Sequence, residues 1–412
     1  MCPSMDFSQK DNACVVIIGG SKSHLPYIFA AKKVGLITIV FDRDSNCPGE
    51  EISNMFFKLS THDIDGIVAR CVLLQDMYTV SGVITCSSAT EPQVAAAKAC
   101  EKLGLRTVSM STVQAATNKK LMKELFVKNG VDTPEWVETN NFNEAISFAK
   151  EVKGKLVMKP SSGSQGSKGI KTVENTDDIV KWFDFVKERS ETSTVVMEKY
   201  YEGREFSVDG MMIGSTPIIF SVSEKFNLGE ENNFIMRGFA MGLRSSVDEE
   251  YFAFKEKIGA AGINAAKSMQ ISDSFFSVDI LLVGERVIVI ECGILLDCKI
   301  DRLLNAAGVN VYDHFIRLKC GENIIPDVPP FEKGYGLVFM YASKNGELII
   351  NDSLPQKKHV VMEWERNQFD SVNVPLSVSD TIGWVIREGD YSHLAFLDAE
   401  QKSKSNIFEV RP

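Results

Sequence analysis

Apolar runs and helical segments alternate along the first part of the chain, and this alternation restricts the fold more than any other sequence feature. The predicted elements are strand Cys14–Ile18, helix Leu25–Val34, strand Ile37–Phe41, strand Gly82–Cys86 and helix Gln93–Leu103. Glycines stand at the joints, where a helix must stop or the chain must turn. Strands that alternate with helices form parallel sheets covered by helices. The sequence therefore predicts an α/β domain over residues 1–110.

The remainder of the chain is too long for one more ordinary core. Because the sequence has 412 residues, two or three domains are expected. Over 111–320 the predicted helices are Asn118–Asn129, Phe142–Val152, Asp177–Arg189 and Phe254–Ala266, and the predicted strands are Thr194–Glu198, Glu205–Ile213, Phe275–Leu282 and Arg286–Glu291. This mixture predicts an α+β unit. The strand-rich runs GYGLVFMYA, GELII, HVVMEW and IGWVI then predict a β-rich subdomain over 321–412.

Charge and cysteine usage exclude several classes of protein. The formal net charge is −10 and the pI about 5.2, which argues against nucleic acid or an anionic membrane as the main partner. No apolar run reaches the roughly 20 residues of a membrane span, and the polar start MCPSMDFSQKDNA lacks an apolar signal core. The nine cysteines are scattered without a CxxC pair. We therefore expect a reduced, cytoplasmic protein without a cysteine-rich metal site.

The stretch VMKPSSGSQGSKGIKTV is the most unusual part of the sequence. Lys159 ends an apolar approach, and Gly163, Gly166 and Gly169 follow among small polar residues. Glycines let backbone N–H groups approach an anion closely, so a phosphate is the first candidate ligand. The stretch is neither a GxxxxGK[ST] nor a GxGxxG motif. Such a loop could equally be a flexible surface turn, or a lid that closes over a nucleotide.

A second candidate stretch, VVMEKYYEGREFSVDG, places carboxylates at the ends of two strands. Glu198 closes the first strand and is followed by Lys199, Tyr200 and Tyr201, and Glu205 opens the next strand. A carboxylate at a strand end can accept a hydrogen bond from an exocyclic amine, and a second one can accept from a ribose diol. The alternative interpretation is a charged hairpin on the surface.

A third candidate is the hairpin FFSVDILLVGERVIVIEC. If Gly284-Glu285-Arg286 forms the turn, Leu281 faces Val289 and Asp279 faces Glu291. Directly opposed residues share one face of an antiparallel pair, with Cβ atoms about 5 Å apart. Two like charges placed in this way repel, and a divalent cation such as Mg²⁺ with its preference for oxygen ligands resolves the repulsion. Alternatively, one carboxylate turns outward or pairs with a lysine.

The three stretches in this order resemble the ATP-grasp superfamily, and most closely its biotin carboxylase-like and carboxylate–amine ligase branch. TNKKLMKELFVKNGVDTP is similar to the family segment DKxxxKxxLxxxGxxxP, with Asn118 in place of the usual Asp and Phe126 in place of Leu. The resemblance covers most of the chain. It implies a pre-ATP-grasp domain over 1–110, an ATP-grasp domain over 111–320 with a lid lobe at about 135–200, and a C-terminal subdomain over 321–412.

The resemblance also implies roles for individual residues. Lys119 and Lys159 would contact the ATP phosphates beneath a lid at 161–169, Glu198 the adenine amine and Glu205 the ribose, while Asp279 and Glu291 would bind Mg²⁺, with Mn²⁺ as an alternative. The further residues expected to line the ATP site are Ser162, Gly163, Gly166, Lys199, Tyr200, Tyr201 and Leu281.

The sequence departs from the family after the metal glutamate. The family usually continues ExNxR, or ExGxR followed by glycines, whereas this chain reads ECGILLDCKIDRLL. Gly293 offers no metal ligand, and Leu295 stands where an arginine often meets the substrate carboxylate or the transferred phosphoryl group. Arg302 or Arg237 is the candidate replacement; otherwise the substrate differs or the enzyme is weakened. Arg302 could also be an ordinary surface residue of a helix.

A dinucleotide site is the competing interpretation of the N-terminal segment. A strand, Gly19-Gly20, a helix and a second strand ending in Asp42 follow one another. However, the run GGSKSHLP lacks the third glycine that lets helix and strand pack closely in that fingerprint. A domain that helps to bind the substrate explains the segment better.

The activity implied by the resemblance is an ATP-dependent ligase that joins a small carboxylate, such as an amino acid, to a small amine through an acyl phosphate. A carboxylase- or kinase-like reaction on the same scaffold is one alternative. A nucleotide-binding protein that has lost catalysis is another, and the departure at Gly293 and Leu295 favours it. The resemblance implies a homodimer as the default assembly.

Replacement of Lys159 tests the assignment of the glycine loop. We expect Lys159→Ala to weaken the binding of ADP by about 1.5–3 kcal/mol, because it removes a hydrogen bond between charged groups. Calorimetric titration with ADP measures this change. Unchanged affinity would contradict a phosphate contact of Lys159.

Overall fold

The computed structural model describes residues 12–163, 166–230, 234–351, 360–404 and 407–411. Residues 164 and 165 of the predicted lid and nearly all of the polar start MCPSMDFSQKDNA lie outside the described residues. Within the described ranges, no helix combines the length and apolar character needed to cross a membrane.

The N-terminal part folds as a parallel sheet with helices packed against it, as predicted. Its strands are β1 (Ala13–Ile18), β2 (Ile37–Asp42), β3 (Met55–Lys58) and β4 (Thr79–Ile84). Its helices are α1 (Leu25–Lys33), α2 (Pro48–Ile52), α3 (Ile64–Leu74), α4 (Thr90–Leu103) and α5 (Met110–Thr117). The four strands are parallel in the order β3-β2-β1-β4. Every residue of the central strand β1 is buried, because helices cover both faces of such a sheet.

A small antiparallel sheet follows helix α6 (Lys119–Lys128). Its elements are β5 (Trp136–Thr139), α7 (Phe142–Val152), β6 (Leu156–Pro160), β7 (Lys171–Val173), α8 (Thr176–Lys187) and β8 (Val195–Lys199). The strand order is β5-β8-β6-β7, and the apolar residues of α7 and α8 pack on it as a separate core. The glycine loop therefore connects β6 to β7, with Lys159 near the end of β6.

The largest element is a sheet to which the middle and C-terminal parts both contribute. Its strands are β9 (Arg204–Ile213), β10 (Thr216–Asn227), β11 (Met236–Gly242), β12 (Ser274–Val283), β13 (Arg286–Gly293), β14 (Gly334–Met340), β16 (Val360–Trp364) and β18 (Gly383–Gly389). They form eight strands in the order β13-β12-β9-β10-β11-β14-β18-β16. The β-rich sequence after residue 320 thus extends the sheet of the middle unit. The boundaries at 110 and 320 stay predictions, because strand patterns do not reveal which strands pair.

Four α-helices and a fourth sheet follow in the described part of the chain. The helices are α9 (Glu249–Ser268), α10 (Ile300–Ala306), α11 (Val311–Lys319) and α12 (Ser392–Ser403), and the remaining strands are β15 (Gly346–Ile350), β17 (Ser371–Val372) and β19 (Phe408–Arg411), paired as β17-β15-β19. Strands β10 and β11 and helix α12 were not predicted from the sequence. Lys225 of β10 contacts the predicted metal ligand Asp279, and Glu400 of α12 contacts the predicted catalytic residue Arg237.

Aromatic packing joins the N-terminal sheet to the large sheet. Tyr27 on α1 meets the ring of Tyr312 on α11 edge to face at 5.1 Å, and Phe315 on α11 stacks on Phe275 of β12 at 4.3 Å. All four residues belong to one buried core. Helix α11 therefore fixes the two sheets against each other and sets the distance across the space between them.

The β12–β13 hairpin pairs Asp279 with Glu291, as predicted, although the predicted turn is wrong. The turn has two residues, Gly284 and Glu285, and Gly284 has a φ of +56°, which glycine tolerates. Leu281 consequently faces Ile288 instead of Val289. A register shift next to Asp279 then restores the predicted pairing, because β13 holds one extra residue there.

Candidate functional site

A cavity of about 1110 Å³ lies where the small sheet, the large sheet, the N-terminal domain and the C-terminal strands meet. Most predicted site residues line it: Lys119, Lys159, Gly163, Gly166, Glu198, Lys199, Tyr200, Tyr201, Glu205, Asp279, Leu281, Glu291 and Arg302. Two predicted residues, Ser162 and Arg237, are not among the described residues that line it. Segments that are distant in sequence thus form one site.

Glu198 lies between two lysines at the end of the cavity formed by the small sheet. Lys159 and Glu198 lie on the adjacent strands β6 and β8, and Lys159 Nζ is 2.5 Å from Glu198 Oε2. Lys123 of α6 forms an ion pair with Glu198, with its Nζ 2.9 Å from Glu198 Oε1. The two groups are not aligned for a hydrogen bond. Lys123 also donates to the Thr133 hydroxyl at 2.7 Å. Glu198 is therefore held in place before any adenine amine binds, a partnership that the sequence analysis missed.

The pKa of Glu198 reflects these two partners. Glu198 is 2% exposed, and burial alone would raise its pKa. The positive charges of Lys123 and Lys159 outweigh burial and hold the pKa at about 2. Glu198 is therefore ionised throughout the neutral range.

A second charged cluster centres on Lys225 of β10. Its Nζ is 2.7 Å from Asp279 Oδ2, 3.0 Å from Asp297 Oδ2 and 3.5 Å from Glu205 Oε1. The strand order β12-β9-β10 brings these groups together, since Glu205 pairs in register with Lys225 on one side and Leu281 on the other. We call Lys225, Glu205, Asp279 and Asp297 the Lys225 cluster.

Burial and charge oppose each other within the Lys225 cluster. Burial raises the pKa of Asp279 above its ordinary value, against the lowering effect of Lys225. Burial alone would lower the pKa of Lys225, but the carboxylates of Asp279, Asp297 and Glu205 raise it well above its usual range. Lys225 therefore remains charged. The sequence analysis missed Lys225 and Asp297, because neither belongs to a motif.

The predicted metal carboxylates both have lysine partners, which was the alternative interpretation of the hairpin. Asp279 pairs with Lys225, and Glu291 Oε1 lies 3.6 Å from Lys119 Nζ. In the part of the chain that the structure describes, no group of three or more histidine, cysteine, aspartate and glutamate side chains could hold a metal ion. Two opposed carboxylates nevertheless fit a Mg²⁺ ion whose other ligands are phosphate oxygens and water.

The predicted base-binding residues form one wall of the cavity. The Tyr200 ring lies 4.8 Å from Lys155 Nζ, and the Tyr201 hydroxyl accepts a hydrogen bond from Arg286 at 3.1 Å. Lys199 Nζ pairs with Glu135 at 3.0 Å. The Ser162 hydroxyl instead faces Thr192 at 3.2 Å, so the structure does not bring it into the cavity.

The two candidate arginines lie in different places. Arg302, on α10, lines the cavity and donates to the Tyr312 hydroxyl and to the Lys22 carbonyl, each at 3.3 Å. It is therefore not an ordinary surface residue. Arg237 pairs with Glu400 of α12, and its guanidinium lies 5.6 Å from the Phe396 ring. The structure does not bring Arg237 into the cavity, because it pairs with α12, a helix that was not predicted.

Gly293 and Leu295, where the chain departs from the family pattern, both line the cavity. A Cβ atom added to Gly293 would have no neighbour closer than 3.7 Å. The absence of a side chain there is therefore not imposed by packing. Helix α10 begins only at Ile300, so the segment that contains Leu295 is not helical.

Comparison with known proteins identifies the fold first. The structure superposes on the L-amino acid ligase from Bacillus licheniformis with a TM-score of 0.77, at 17% identity over 98% of this chain and 99% of that chain. For phosphoribosylglycinamide synthetase from Anaerococcus prevotii the TM-score is 0.72, at 16% identity over 97% and 100% of the chains. The protein therefore has the ATP-grasp fold, as predicted.

Sequence comparison gives the family. Residues 117–247 match the model of the phosphoribosylglycinamide synthetase ATP-grasp (A) domain. The human mitochondrial ammonia-dependent carbamoyl-phosphate synthase is 26% identical over 226 residues, which are 54% of this chain and 15% of that protein. The chain spans 11% to 15% of the length of the curated relatives that it matches. Residues 117–247 are therefore an ATP-grasp domain by sequence as well as by fold.

Replacement of Glu198 tests the contribution of the buried lysine–glutamate group. We expect Glu198→Gln to lower the free energy of unfolding at pH 7 by about 3–5 kcal/mol, because two buried lysines lose their counter-charge. The pKa of about 2 lies below the ordinary value, so the stabilisation is complete above pH about 4.5 and is lost as the pH falls towards 2. Urea titrations across this range measure the difference between wild type and variant.

Glu135→Gln is the matched control for this measurement. It removes the exposed pair with Lys199, which water screens, so its effect on the free energy of unfolding is expected to be much smaller than that of Glu198→Gln. An equal effect of the two variants, or a Glu198→Gln effect that does not change with pH, would contradict the electrostatic account.

Proposed function

We propose that the protein is an ATP-dependent ligase that joins a small carboxylate to a small amine, with release of ADP and phosphate. The observation that carries the proposal is that the Lys225 cluster and the Lys159–Glu198 pair line one cavity. The ATP-grasp domain at residues 117–247 supports it, as does the likeness in fold to a protein named an L-amino acid ligase. Residues 1–110 and 321–412 would complete the site on either side.

The nucleotide would bind between the small and the large sheet. Lys119 and Lys159 supply positive charge for the phosphates, and the loop from β6 to β7 would cover them as a lid. The positive φ angles of Gly163 and Gly166, +69° and +63°, give that loop a backbone that side chains disfavour. Glu198, with Tyr200 and its neighbours, would bind the base.

Asp279 and Glu291 would hold Mg²⁺, as hard oxygen ligands at the phosphate end of the nucleotide. When bound, the cation neutralises the phosphate charge that develops during transfer. A solved structural neighbour, the 2-oxoglutarate carboxylase biotin carboxylase domain from Hydrogenobacter thermophilus, was crystallised with MgADP. Lys225 lies against Asp279 and would add a fixed positive charge at the same place.

The reaction needs two bond-forming steps in a water-excluding cavity. An oxygen of the acid attacks the γ-phosphorus and ADP leaves, which gives an acyl phosphate. The amine then attacks the carbonyl carbon, phosphate leaves, and the proton released by the amine passes to a cavity carboxylate. Asp297 and Glu365 both line the cavity and have no role in nucleotide binding. A closed lid protects the acyl phosphate from hydrolysis.

The predicted metal carboxylates provide the first test of this proposal. We expect Asp279→Asn and Glu291→Gln each to abolish turnover at ordinary Mg²⁺ concentrations, because each removes a charged ligand, while the fold is kept. Turnover as a function of Mg²⁺ concentration, beside a melting curve, measures both effects. Asp390→Asn, which alters an exposed pair with Lys333, is the control. Retained turnover, or turnover lost only in step with stability, would indicate a structural pair.

Arg302 is the proposed replacement for the family arginine. The property to test is its planar guanidinium group, which can donate two parallel hydrogen bonds to a carboxylate. We expect Arg302→Lys to lower turnover, because the charge stays but the planar fork is lost. Arg302→Leu should lower it much further, while the affinity for ADP changes little. Steady-state kinetics and ADP titration separate the two quantities. Equal turnover of wild type and both variants would remove Arg302 from the reaction.

A nucleotide-binding protein without catalysis is the second candidate, favoured by Gly293 and Leu295 on the cavity wall. A screen of small carboxylates and amines for ATP-dependent release of ADP and phosphate separates the candidates. Mass spectrometry of the product distinguishes a ligase from a kinase- or carboxylase-like enzyme. The homodimer and the cytoplasmic location stay predictions.

A further inference from the structure

The cavity continues beyond the Lys225 cluster, and its far end differs in character. Residues from three parts of the chain line this end: Ser23, Cys86, Lys299, Asp301, Arg302 and Glu365. The cavity volume of about 1110 Å³ exceeds the upper size of an ordinary single-ligand pocket, about 1,000 Å³. A second ligand therefore has room beside a nucleotide.

An ion pair between Lys299 and Glu365 stands at this far end. Lys299 Nζ lies 2.6 Å from Glu365 Oε1 and 3.5 Å from the Ser23 hydroxyl. Trp384 Nε1 donates to the same glutamate oxygen at 3.3 Å. Only 11% of the Lys299 side chain and 19% of the Glu365 side chain are exposed. Both charges have lost most of their water, so each depends on the other.

Lys299 also has a backbone conformation that lysine rarely adopts. Its φ of 62° and ψ of 4° lie in the left-handed region, immediately before helix α10. A side chain with a Cβ atom is strained in that conformation. Residues held in this way are concentrated at ligand-binding sites. The strain gives a second reason, independent of charge, to assign Lys299 a role in binding.

Arg302 adds a second cation, and one of its hydrogen-bond donors is not used. Its Nε is buried and has no acceptor within the described part of the chain, and both hydrogen bonds of its terminal nitrogens are 3.3 Å long. A buried donor without an acceptor is unfavourable and is relieved by an incoming oxygen. The far end thus presents two cations, Lys299 and Arg302, beside two carboxylates, Asp301 and Glu365.

We propose that Lys299, Arg302 and Glu365 recognise a zwitterion, an α-amino acid whose carboxylate binds the two cations and whose ammonium group binds Glu365. The proposal rests on the proposed ligase function, because it names the chemical class of one of the two substrates.

The physical basis is an exchange of ion pairs. Without substrate, Lys299 and Glu365 neutralise each other. The amino acid separates them and supplies each with a new opposite charge, so no buried charge is left unpaired. A molecule that carries one of the two charged groups leaves Lys299 or Glu365 unpaired, and this disfavours its binding.

Direct binding to the MgADP-loaded protein tests the proposal. The probes are the twenty common amino acids, each beside the carboxylic acid that lacks its amine and the amine that lacks its carboxylate, titrated calorimetrically. We expect at least one amino acid to bind about 10-fold or more tightly than both of its analogues. Glu365→Gln should weaken the binding of that amino acid by about 10- to 100-fold and the binding of the carboxylic acid by less than about 3-fold. Lys299→Met should weaken the binding of the amino acid and of the carboxylic acid, and should leave the binding of the amine unchanged.

Lys333→Met is the matched control, because it removes the surface pair with Asp390 and touches no cavity residue. Its binding constants should equal those of wild type. The proposal is overturned if no amino acid binds more tightly than its analogues, or if both cavity variants weaken all three probes equally and in step with their melting temperatures. Discriminating binding of an amino acid without ADP release from any acid would overturn the ligase function and leave the zwitterion site standing.

Discussion

Buried lysine–carboxylate pairing is the interaction on which the cavity depends. Glu198 lies between Lys123 and Lys159, and Lys225 lies among three carboxylates. Moving each ion out of water costs several kcal/mol, and an opposite charge at contact distance is what offsets that cost. Strand pairing provides this proximity, because β6 lies beside β8 and β10 beside β9. Each of these buried charges therefore has an opposite charge at contact distance before a ligand enters.

Packing between the sheets gives this charge arrangement a fixed frame. The rings of Tyr27, Tyr312, Phe275 and Phe315 connect α1, α11 and β12 within one core. Helix α10, which carries Arg302, contributes Ile300 and Leu303 to the same core. The far wall of the cavity is thus packed on the same core as β12, the strand that carries Asp279. By contrast, the small sheet has its own apolar core.

Local sequence patterns were sufficient for part of this site. The alternation of strands and helices gave the parallel sheet, and the hairpin pattern brought Asp279 opposite Glu291. The second result came with an incorrect turn, because a two-residue turn and an extra residue in β13 compensate each other. Patterns could not reveal Lys225 or Asp297, since strand order in the large sheet, and not sequence spacing, brings them to Asp279. Sequence patterns also could not show that Arg237 lies outside the cavity. Its partner Glu400 is on helix α12, which the β-rich sequence did not predict.

The shared eight-stranded sheet has a consequence for how this chain can be divided. Strand β11 is hydrogen-bonded to β14, which comes from the C-terminal part, and Ala240 of β11 shares a buried core with Val338 of β14. A fragment that ended near residue 320 would keep most of the cavity-lining residues but leave β11 as a bare edge, with open backbone groups beside uncovered apolar side chains. Such edges pair with the edges of other chains, so the shortened protein would tend to aggregate. The C-terminal strands therefore cover an edge of the large sheet that would otherwise be open to pairing with other chains.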